Sequence, residues 1–309
     1  MKGEFELIKE LTALIPIDDK DVVAGFGDDC ACVQVKGEFL LFTVDAQVEN
    51  HHFIKDKISP EDLGWKLVSV NVSDVVACGG IPKWGLISIA IPKNLEQNWL
   101  KRLYRGIKKA TGFYRFNIIG GNTSAAESII LDLSLTGITK RFVSRKAAKP
   151  KDMVFITGET GLSRAGLELL LMDKTDYEPF EYELIKKHTR PLARIDMQKI
   201  VEKSANACID ISDGLVGDLG HISDMSNVKI VIEKEKLPIH PLLEKFCKKY
   251  NKNPYNYILY GGEDYELIIT SSHKLENAVL IGYVDTGTGI HLKENNKMIE
   301  LPPKGFEHI

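Results

Sequence analysis

Carboxylate side chains of this sequence gather in five short motifs, each at a predicted strand end, in a loop or among small and apolar residues. The motifs are GFGDDCA (Asp28, Asp29), FTVDAQVENHHF (Asp45, Glu49, His51, His52), NVSDVVACGG (Asn71, Asp74), DISDG (Asp210, Asp213) and GGEDYEL (Glu263, Asp264). A charge withdrawn from water is costly unless it is paired or binds a metal. Hard oxygen ligands of this kind suit Mg2+, which proteins hold with a few carboxylates together with substrate phosphates.

Each motif by itself also has a structural interpretation. An Asp-Asp pair after glycine, as at Asp28 and Asp29, is common in turns, and Asp213 could cap the helix that follows it. Asp74 is predicted to lie mid-helix, one turn after Asn71 and among valines, so it is either a hydrogen-bonded buried group or a ligand. Asp218 lies about one and a half turns beyond Asp213 and is interpreted as an ordinary helical polar residue.

Glycines add a second pattern. Gly120-Gly121-Asn122 is predicted to follow a strand, Gly261-Gly262 to precede one, and Gly25-Phe-Gly27 opens the first acidic loop. Such loops let backbone N–H groups approach phosphate oxygens closely. The familiar nucleotide signatures are missing, because the sequence has no G-x-x-x-x-G-K-[ST], no H-R-D and no D-F-G. If a nucleotide binds, acidic residues and several metal ions must hold its phosphates.

Composition narrows the class of protein. The 309 residues are enough for two domains, and a formal net charge of -3 makes nucleic acid an unexpected partner. The sequence has no apolar run of the ~20 residues that span a bilayer, and its first residues, MKGEFELIKELTALI, do not resemble a signal peptide. We therefore expect a cytoplasmic protein without a membrane anchor. Its five scattered cysteines are expected to be reduced thiols that pack as small hydrophobes.

Hydrophobic periodicity predicts strands alternating with helices in both halves of the chain. Helices are predicted over 4–14, 62–80 and 95–110, and strands over 39–48, 84–91, 116–119 and 129–139. The basic, proline-containing stretch KRFVSRKAAKPKD then marks a domain boundary, so the expected domains are 1–139 and 140–309. Strand–helix alternation restarts at MVFITGETG and recurs at ACIDISDG and LYGGEDYELIIT. Two α/β or α+β domains are predicted.

Taken in order, the motifs resemble thiamine-monophosphate kinase, of the superfamily that includes aminoimidazole ribonucleotide synthetase and selenophosphate synthetase. The resemblance rests on GEF, GDD, TVD, HHF, NVSDVVACGG-P, GGN, SRAGLELL, DISDGL and GGEDYEL, which span nearly the whole chain. It implies an N-terminal sheet that pairs across a homodimer, a C-terminal α/β domain, and ATP in the cleft between the domains. It also implies direct in-line transfer of the γ-phosphoryl group of ATP to thiamine monophosphate, without a phosphoenzyme, giving thiamine diphosphate and ADP.

The resemblance further implies three groups of site residues. Positions that match Mg2+ ligands are Asp28, Asp29, Thr43, Val44, Asp45, Asp74, Asn122, Asp210 and Asp213. Positions that match ATP contacts are Tyr104, Gly121, Asn122, Arg145 and Ser212. Positions that match thiamine monophosphate contacts are His52, Glu263 and Phe306. Several Mg2+ ions bridging these carboxylates to phosphate oxygens would remove the repulsion between two anionic substrates.

Two positions depart from the family pattern, and three of the assigned residues have a plainer interpretation without the resemblance. Some members have Asp at the position of Asn122, and some have Thr at the position of Val44, where any metal contact must use the backbone carbonyl. Without the resemblance, Arg145 would be a solvated boundary residue. His52 would be a surface loop histidine, and Phe306 an aromatic that packs the tail rather than a platform for a cationic ring.

Two alternative functions stay open. One is another ATP-dependent enzyme of the same superfamily. A selenophosphate synthetase would carry a reactive Cys or selenocysteine in a Gly-rich segment, whereas Cys30 and Cys32 follow the Asp pair in a strand-like context. The other is a non-catalytic relative that binds nucleotide or Mg2+ as a regulatory subunit. The intact acidic set argues against it, because a degenerate site should have lost ligands.

Overall fold

The computed structural model describes residues 4–172 and 174–302, with the side chains of the first three of these excepted. The α-helices are α1 Glu4–Ala13, α2 Pro60–Ala77, α3 Gln97–Tyr114, α4 Leu162–Leu171, α5 Pro179–Thr189, α6 Gln198–Ser204, α7 Leu215–Ser226, α8 Pro241–Tyr250 and α9 Pro254–Tyr260. The strands are β1 Val22–Ala24, β2 Ala31–Val35, β3 Glu38–Val48, β4 Ile81–Ile91, β5 Asn117–Ala125, β6 Ile130–Thr139, β7 Met153–Ile156, β8 Ala207–Asp210, β9 Lys229–Glu233, β10 Leu267–Ser271, β11 Val279–Asp285, β12 Gly289–Glu294 and β13 Lys297–Leu301. The predicted α/β class is confirmed.

The first sheet has six strands in the order β1-β2-β3-β6-β4-β5, antiparallel except for the β4–β5 pair. Helices α2 and α3 pack together, and α2 lies against this sheet with a nearly continuous set of buried residues. The opposite face carries large apolar side chains that are exposed in the single chain, namely Phe42, Val44, Trp84, Leu86 and Ile119. The two faces therefore differ: one is covered by helices and the other is apolar and uncovered in one copy.

The second sheet has seven strands in the order β13-β12-β9-β11-β7-β10-β8, antiparallel except where β9 pairs with β12. Successive residues of a strand point to opposite faces of the sheet. In the central strands of this sheet, the residues on both faces are buried. Phe155, Cys208 and Ile269 join the core around α2, whereas Ile156, Ile209 and Ile268 join a second core that includes residues of α4, α7 and α8. The second sheet thus lies between the two cores and brings β8 close to α2.

Helix α2 begins and ends at residues suited to those positions. Ser59 precedes it, and the Ser59 hydroxyl accepts a hydrogen bond from the Asp62 N–H at 3.1 Å, with Pro60 as the first helical residue. The helix ends at Ala77, three residues before the predicted end at 80, because Gly79 adopts a φ of 76°. This ending places Asp74 in the last turn of the helix, where its carboxylate accepts a hydrogen bond from Thr43 on β3 and lies close to Asp210 at the end of β8.

The predicted elements correspond to observed ones, with one informative exception. The predicted strand at 116–119 extends to Ala125, so Gly120, Gly121 and Asn122 lie inside β5 rather than after it. A side chain at Gly121 would place a Cβ 1.9 Å from the Ile87 carbonyl oxygen, so glycine permits close pairing with β4 here. The first sheet ends at Thr139 and the second begins at Met153; the division into domains at residue 140 stays a prediction. Among the described helices, none has the length and apolar character needed to cross a membrane.

Candidate active site

Three aspartates converge from three separate elements. Asp29 precedes β2, Asp74 lies in the last turn of α2, and Asp210 ends β8. Each offers one carboxylate oxygen to a cluster whose atoms lie within 4.8 Å of one another. Asp29 and Asp210 are buried, and in the described part of the chain their Oδ2 atoms have no hydrogen-bond partner. Buried carboxylate oxygens without partners are costly, so the geometry of this cluster, hereafter the aspartate cluster, fits a bound cation.

Electrostatics support the same reading of the aspartate cluster. Burial, followed by the charges of Asp45 and Asp210, raises the pKa of Asp74 well above its ordinary value. Burial, followed by the charge of Asp29, likewise raises the pKa of Asp210. The Thr43 hydroxyl donates a 2.5 Å hydrogen bond to Asp74 Oδ2, which orients that carboxylate. Burial first and repulsion second therefore disfavour the charged carboxylates, and a divalent cation would offset both effects.

Asn71 is a structural residue that places Asp45 next to the cluster. Its Oδ1 accepts a hydrogen bond from the Asp45 N–H at 3.0 Å, and its Nδ2 donates to the Leu67 carbonyl at 2.9 Å. Asn71 is fully buried with both ends of its amide used. It therefore joins α2 to β3.

Asp28 and Arg145 form the other side of the aspartate cluster. The Ser144 hydroxyl donates to Asp28 Oδ2 at 2.5 Å, and burial together with the charge of Asp29 raises the pKa of Asp28 to about 6. Arg145 Nη2 lies 2.5 Å from Asp29 Oδ1, and the Arg145 carbonyl accepts a hydrogen bond from the Ser226 hydroxyl at 3.0 Å. The interpretation of Arg145 as a solvated boundary residue is wrong, because its side chain is only 18% exposed.

Asp218 organises the DISDG loop, contrary to its interpretation as an ordinary helical residue. It is 1% exposed, and its Oδ2 accepts hydrogen bonds from the backbone N–H groups of Ser212, Asp213 and Gly214 at 3.1, 3.2 and 3.1 Å. Gly214, with a φ of 119°, occupies the position before α7, so Asp213 is not the helix cap. Ligand atoms of Asp213, Asp218 and His221 lie within 4.8 Å of one another.

Glu263 and His52 line the same cavity as Arg145. Glu263 Oε1 is 2.7 Å from the ammonium of Lys66, and its Oε2 is 3.2 Å from His188 Nδ1. His52 is half-buried and accepts a hydrogen bond from the Val48 N–H through Nδ1 at 3.0 Å. His52 is therefore only partly exposed and has its ring oriented by a hydrogen bond, whereas the plainer interpretation made it a surface loop histidine.

One cavity of about 1060 Å3 connects most of the predicted site residues. Its lining includes Asp28, Asp29, Thr43, Val44, Asp45, His52, Asp74, Arg145, Asp210, Ser212, Asp213 and Glu263. Tyr104 on α3 and Gly121 and Asn122 on β5 are not part of this lining in the single chain. Phe306 lies outside the described residues. His188 and Asp218 also line this cavity, and Lys66 pairs with Glu263; sequence reasoning assigned none of these three to the site.

The separation of Gly121 from the cavity follows from strand register. Asp45 on β3 pairs with Leu133 on β6, Leu133 pairs with Ile87 on β4, and Ile87 pairs with Gly121 on β5. Three strand spacings amount to about 14 Å. A residue at Gly121 or Asn122 therefore does not share a metal with Asp45 of the same chain.

The chain is similar over its length to several known proteins. A family model described as AIR synthase related protein, N-terminal domain, matches residues 27–139. Thiamine-monophosphate kinase of Aquifex aeolicus is 49% identical over 311 residues, covering 99% of this chain and 98% of the relative. Thiamine-monophosphate kinase of Bacillus subtilis is 36% identical over 333 residues, covering 99% of each.

Solved structures agree with those relatives. The structure described as AaThiL complexed with AMPPCP and TMP has a TM-score of 0.92 and 46% identity, covering 99% of this chain and 97% of that chain. Hydrogenase maturation protein HypE in complex with ATP has a TM-score of 0.67 at 17% identity, which shows a shared fold alone.

Proposed function

The chain belongs to the thiamine-monophosphate kinase family, and we propose how its acidic cavity transfers the γ-phosphoryl group of ATP to thiamine monophosphate. The observation that carries the proposal is the aspartate cluster, whose buried oxygens lack partners at the wall of a cavity large enough for both substrates. Family membership supports the activity. The binding of AMPPCP, an ATP analogue, and of TMP by a 46% identical relative supports the two substrates.

Mg2+ is the cation that fits the aspartate cluster. The donors are hard carboxylate oxygens, with the Asp45 and Asp213 carboxylates and the Asp28 side chain close by. We assign Asp29, Asp74 and Asp210 as its ligands, and Asp45 and Asp213, which line the same cavity, as candidate ligands of further ions. Bound Mg2+ would neutralise charge on the phosphate oxygens of donor and acceptor.

Arg145 and Ser212 are placed to hold the phosphates of ATP. Arg145 carries its charge next to Asp29, and its buried Nε has no hydrogen-bond partner within the described part of the chain, so a donor remains for a phosphate. The backbone N–H groups of the DISDG loop already donate to Asp218. This loop therefore presents side chains to the ligand and does not form a cradle of free N–H groups.

Glu263 and His52 are placed to bind thiamine monophosphate. A carboxylate is the natural partner for a cationic thiazolium or an aminopyrimidine N–H, and Glu263 remains 28% exposed to the cavity. The acceptor phosphate is largely ionised at neutral pH, so attack on the γ-phosphorus needs alignment more than a general base. Positioning of the two phosphates is then the main task of the protein side chains.

A homodimer would explain why Tyr104, Gly121 and Asn122 lie outside the cavity of the single chain. The uncovered face of the first sheet presents Trp84, Leu86 and Ile119, which are about half or more exposed, and an apolar face of this kind marks an association site. Pairing of two such faces would bring Gly121 and Asn122 of a second copy toward the cavity. We propose that these residues and Tyr104 contact ATP across the dimer.

Cysteine chemistry argues against a selenophosphate synthetase-like reaction. Cys30 and Cys32 are 1% and 0% exposed, and burial raises the pKa of each to about 11. Neither is therefore a reactive thiolate at neutral pH. The cytoplasmic location stays a prediction from the sequence.

An acceptor comparison tests the proposed function. Purified protein is supplied with MgATP and either thiamine monophosphate, selenide or no acceptor, and products are separated by chromatography. We expect thiamine diphosphate and ADP only with thiamine monophosphate. Product with selenide alone would favour the superfamily alternative, and no turnover with either acceptor would favour the non-catalytic one.

A further inference from the structure

Lys66 is a buried lysine in the middle of α2. It is 0% exposed, and its neighbours Leu63, Leu67 and Val70 are buried apolar residues. Among the described residues, the group that pairs with its ammonium is the carboxylate of Glu263, 2.7 Å away. A buried ammonium is strongly unfavourable without a partner. The carboxylate of Glu263 therefore stabilises the charged Lys66 at this buried position.

Both carboxylate oxygens of Glu263 are engaged by residues from different elements. Lys66 on α2 holds Oε1, and His188 near the end of α5 lies 3.2 Å from Oε2. Burial and the charge of Lys66 lower the pKa of His188 to about 3, so the imidazole is neutral and Nδ1–H can donate to Glu263. The Ser163 hydroxyl lies 3.1 Å from the same nitrogen.

The backbone at Glu263 is also fixed in an uncommon conformation. Glu263 has a φ of 62°, in the left-handed region that non-glycine residues seldom adopt, and its N–H donates to the Ser212 carbonyl at 2.7 Å. The loop that carries Glu263 is thereby joined to the loop of Ser212, which we assign to ATP. The Glu263 carboxylate is therefore held by Lys66 of α2 and by the neutral His188, and the backbone that carries it is strained.

These three side chains border a smaller cavity next to the main one. It measures about 230 Å3 and is lined by Lys66, His188, Glu263 and His52 together with apolar Phe53, Ile58, Leu167 and Leu170. An apolar pocket with a few convergent polar groups suits a flat ring that carries a positive charge or an amino group. An ion pair that served only to join α2 to the second domain would not need to border a cavity.

We propose that Lys66 and His188 are positioning residues, which hold the Glu263 carboxylate in one orientation toward the cationic ring system of the acceptor. The inference rests on the proposed function and deepens it. Neither residue needs to touch the acceptor, because each acts through Glu263. Lys66 is thus expected to determine affinity for thiamine monophosphate and not affinity for ATP.

A double-mutant cycle tests this role of Lys66. Lys66→Met is expected to raise the KM for thiamine monophosphate by about tenfold or more, as for a lost charged hydrogen bond, and to change the KM for ATP by less than about twofold. In the Glu263→Gln background, Lys66→Met should raise the KM for thiamine monophosphate by less than about twofold further, because the shared contact is already lost. Lys199→Met on the exposed face of α6 is the matched control.

His188 supplies a second test if Lys66→Met does not fold. His188→Leu removes the donor to Glu263, whereas His188→Asn keeps an N–H donor near the position of Nδ1. The leucine variant should raise the KM for thiamine monophosphate by about tenfold, and the asparagine variant should restore most of that loss.

Three results would overturn the inference. They are an equal rise of both KM values in Lys66→Met, an undiminished effect of Lys66→Met in the Glu263→Gln background, and an equal effect of leucine and asparagine at position 188. Absence of thiamine diphosphate with the wild type would instead overturn the proposed function, and this inference with it. A wild type that makes thiamine diphosphate separates the two failures.

Discussion

Arg145 Nη2 lies 2.5 Å from Asp29 Oδ1, so a guanidinium and a carboxylate of the aspartate cluster form a buried ion pair. Burial disfavours the charged guanidinium, but Asp29 and Asp28 outweigh that effect and raise the pKa of Arg145 above its ordinary value. The pair joins the loop before β2 to the segment after the first sheet. We infer that Arg145 offsets the charge of Asp29 without ligand and binds ATP phosphates when Mg2+ occupies the aspartate cluster.

Arg145→Gln should therefore weaken ATP binding. The glutamine keeps polar atoms but not the charge, so we expect the KM for ATP to rise by about tenfold or more. The KM for thiamine monophosphate should change by less than about twofold. Initial rates against each substrate measure both values, and Arg115→Gln, on the exposed end of α3, serves as the control. An unchanged KM for ATP would remove Arg145 from the ATP site.

Asp74→Asn and Asp210→Asn should abolish turnover but preserve the fold. Each variant removes one metal ligand, and we expect kcat to fall about a thousandfold or more. Since burial and neighbouring carboxylates raise the pKa of both groups, removing one charge should leave the free energy of unfolding without metal unchanged or higher. Chemical denaturation in EDTA measures stability, and steady-state rates measure kcat.

The exposed Asp176→Asn is the matched control for those two variants. It should keep wild-type rates because Asp176 is not part of the cavity lining. Near-normal kcat in either Asp74→Asn or Asp210→Asn would contradict the metal assignment. Destabilisation in EDTA by more than about 2 kcal/mol would show that the carboxylate serves mainly to hold the fold.

His188 should make stability depend on pH in a defined direction. Its folded pKa of about 3 lies below its ordinary value of 6.5, so only the unfolded chain takes up a proton between those values. The contribution of neutral His188 to the free energy of unfolding is present above pH 6.5 and is lost as the pH falls toward 3. Through this group the free energy of unfolding should fall by about 2 kcal/mol from pH 7 to pH 5.

His188→Gln, which cannot titrate, should reduce that loss relative to the wild type. Denaturant unfolding of both proteins at pH 7 and pH 5, with Mg2+ held constant, gives the difference in slope. His273→Gln, at an exposed loop position, should keep the wild-type dependence. An identical slope for His188→Gln and the wild type would show that His188 is not held neutral in the folded state.

Leu86→Glu should convert the proposed dimer into a monomer. Leu86 is 49% exposed on the uncovered face of the first sheet, and a charge there would be buried without a partner in the dimer. The same variant should lose most activity because Gly121 and Asn122 would no longer reach a second copy. Analytical ultracentrifugation measures mass, and Leu192→Glu, also at a site 49% exposed, is the control.

A wild-type chain that sediments as a monomer while fully active would contradict this prediction. So would an active monomeric Leu86→Glu variant, since Gly121 and Asn122 would then have no role across a dimer. Both results would leave the aspartate cluster untouched, because its ligands come from one chain.

The sequence predicted the elements whose pattern is local. Helix α2 was predicted from the spacing of Leu63, Leu67, Val68 and Val72. The pattern is present because the helix buries these residues in the core. The same pattern singled out Asp74 as a charge among apolar residues, and the structure places it in the aspartate cluster. The helical spacing of apolar residues, and one charged residue among them, were sufficient to predict this helix and to select Asp74.

Other features depend on contacts between distant segments. Gly120 and Gly121 read as a loop from the sequence, whereas close pairing with β4 keeps them inside β5. Asp218 had the pattern of an exposed helical residue, but the turn at Gly214 directs three N–H groups at it. Lys66 carried a usable signal, a lysine within an apolar stretch of α2, but its partner Glu263 is 197 positions later. Register and long-range pairing of this kind are not encoded in a local pattern.

The most direct measurement of the central claim follows the γ-phosphoryl group itself. Wild-type protein is incubated with Mg2+, ATP labelled in the γ-phosphate and thiamine monophosphate, and the labelled products are separated and counted. We predict one thiamine diphosphate, labelled in its terminal phosphate, for each ADP formed, and no transfer in EDTA or with Asp210→Asn. Release of the label as inorganic phosphate without thiamine diphosphate, or transfer that persists in EDTA, would contradict metal-assisted transfer in the acidic cavity.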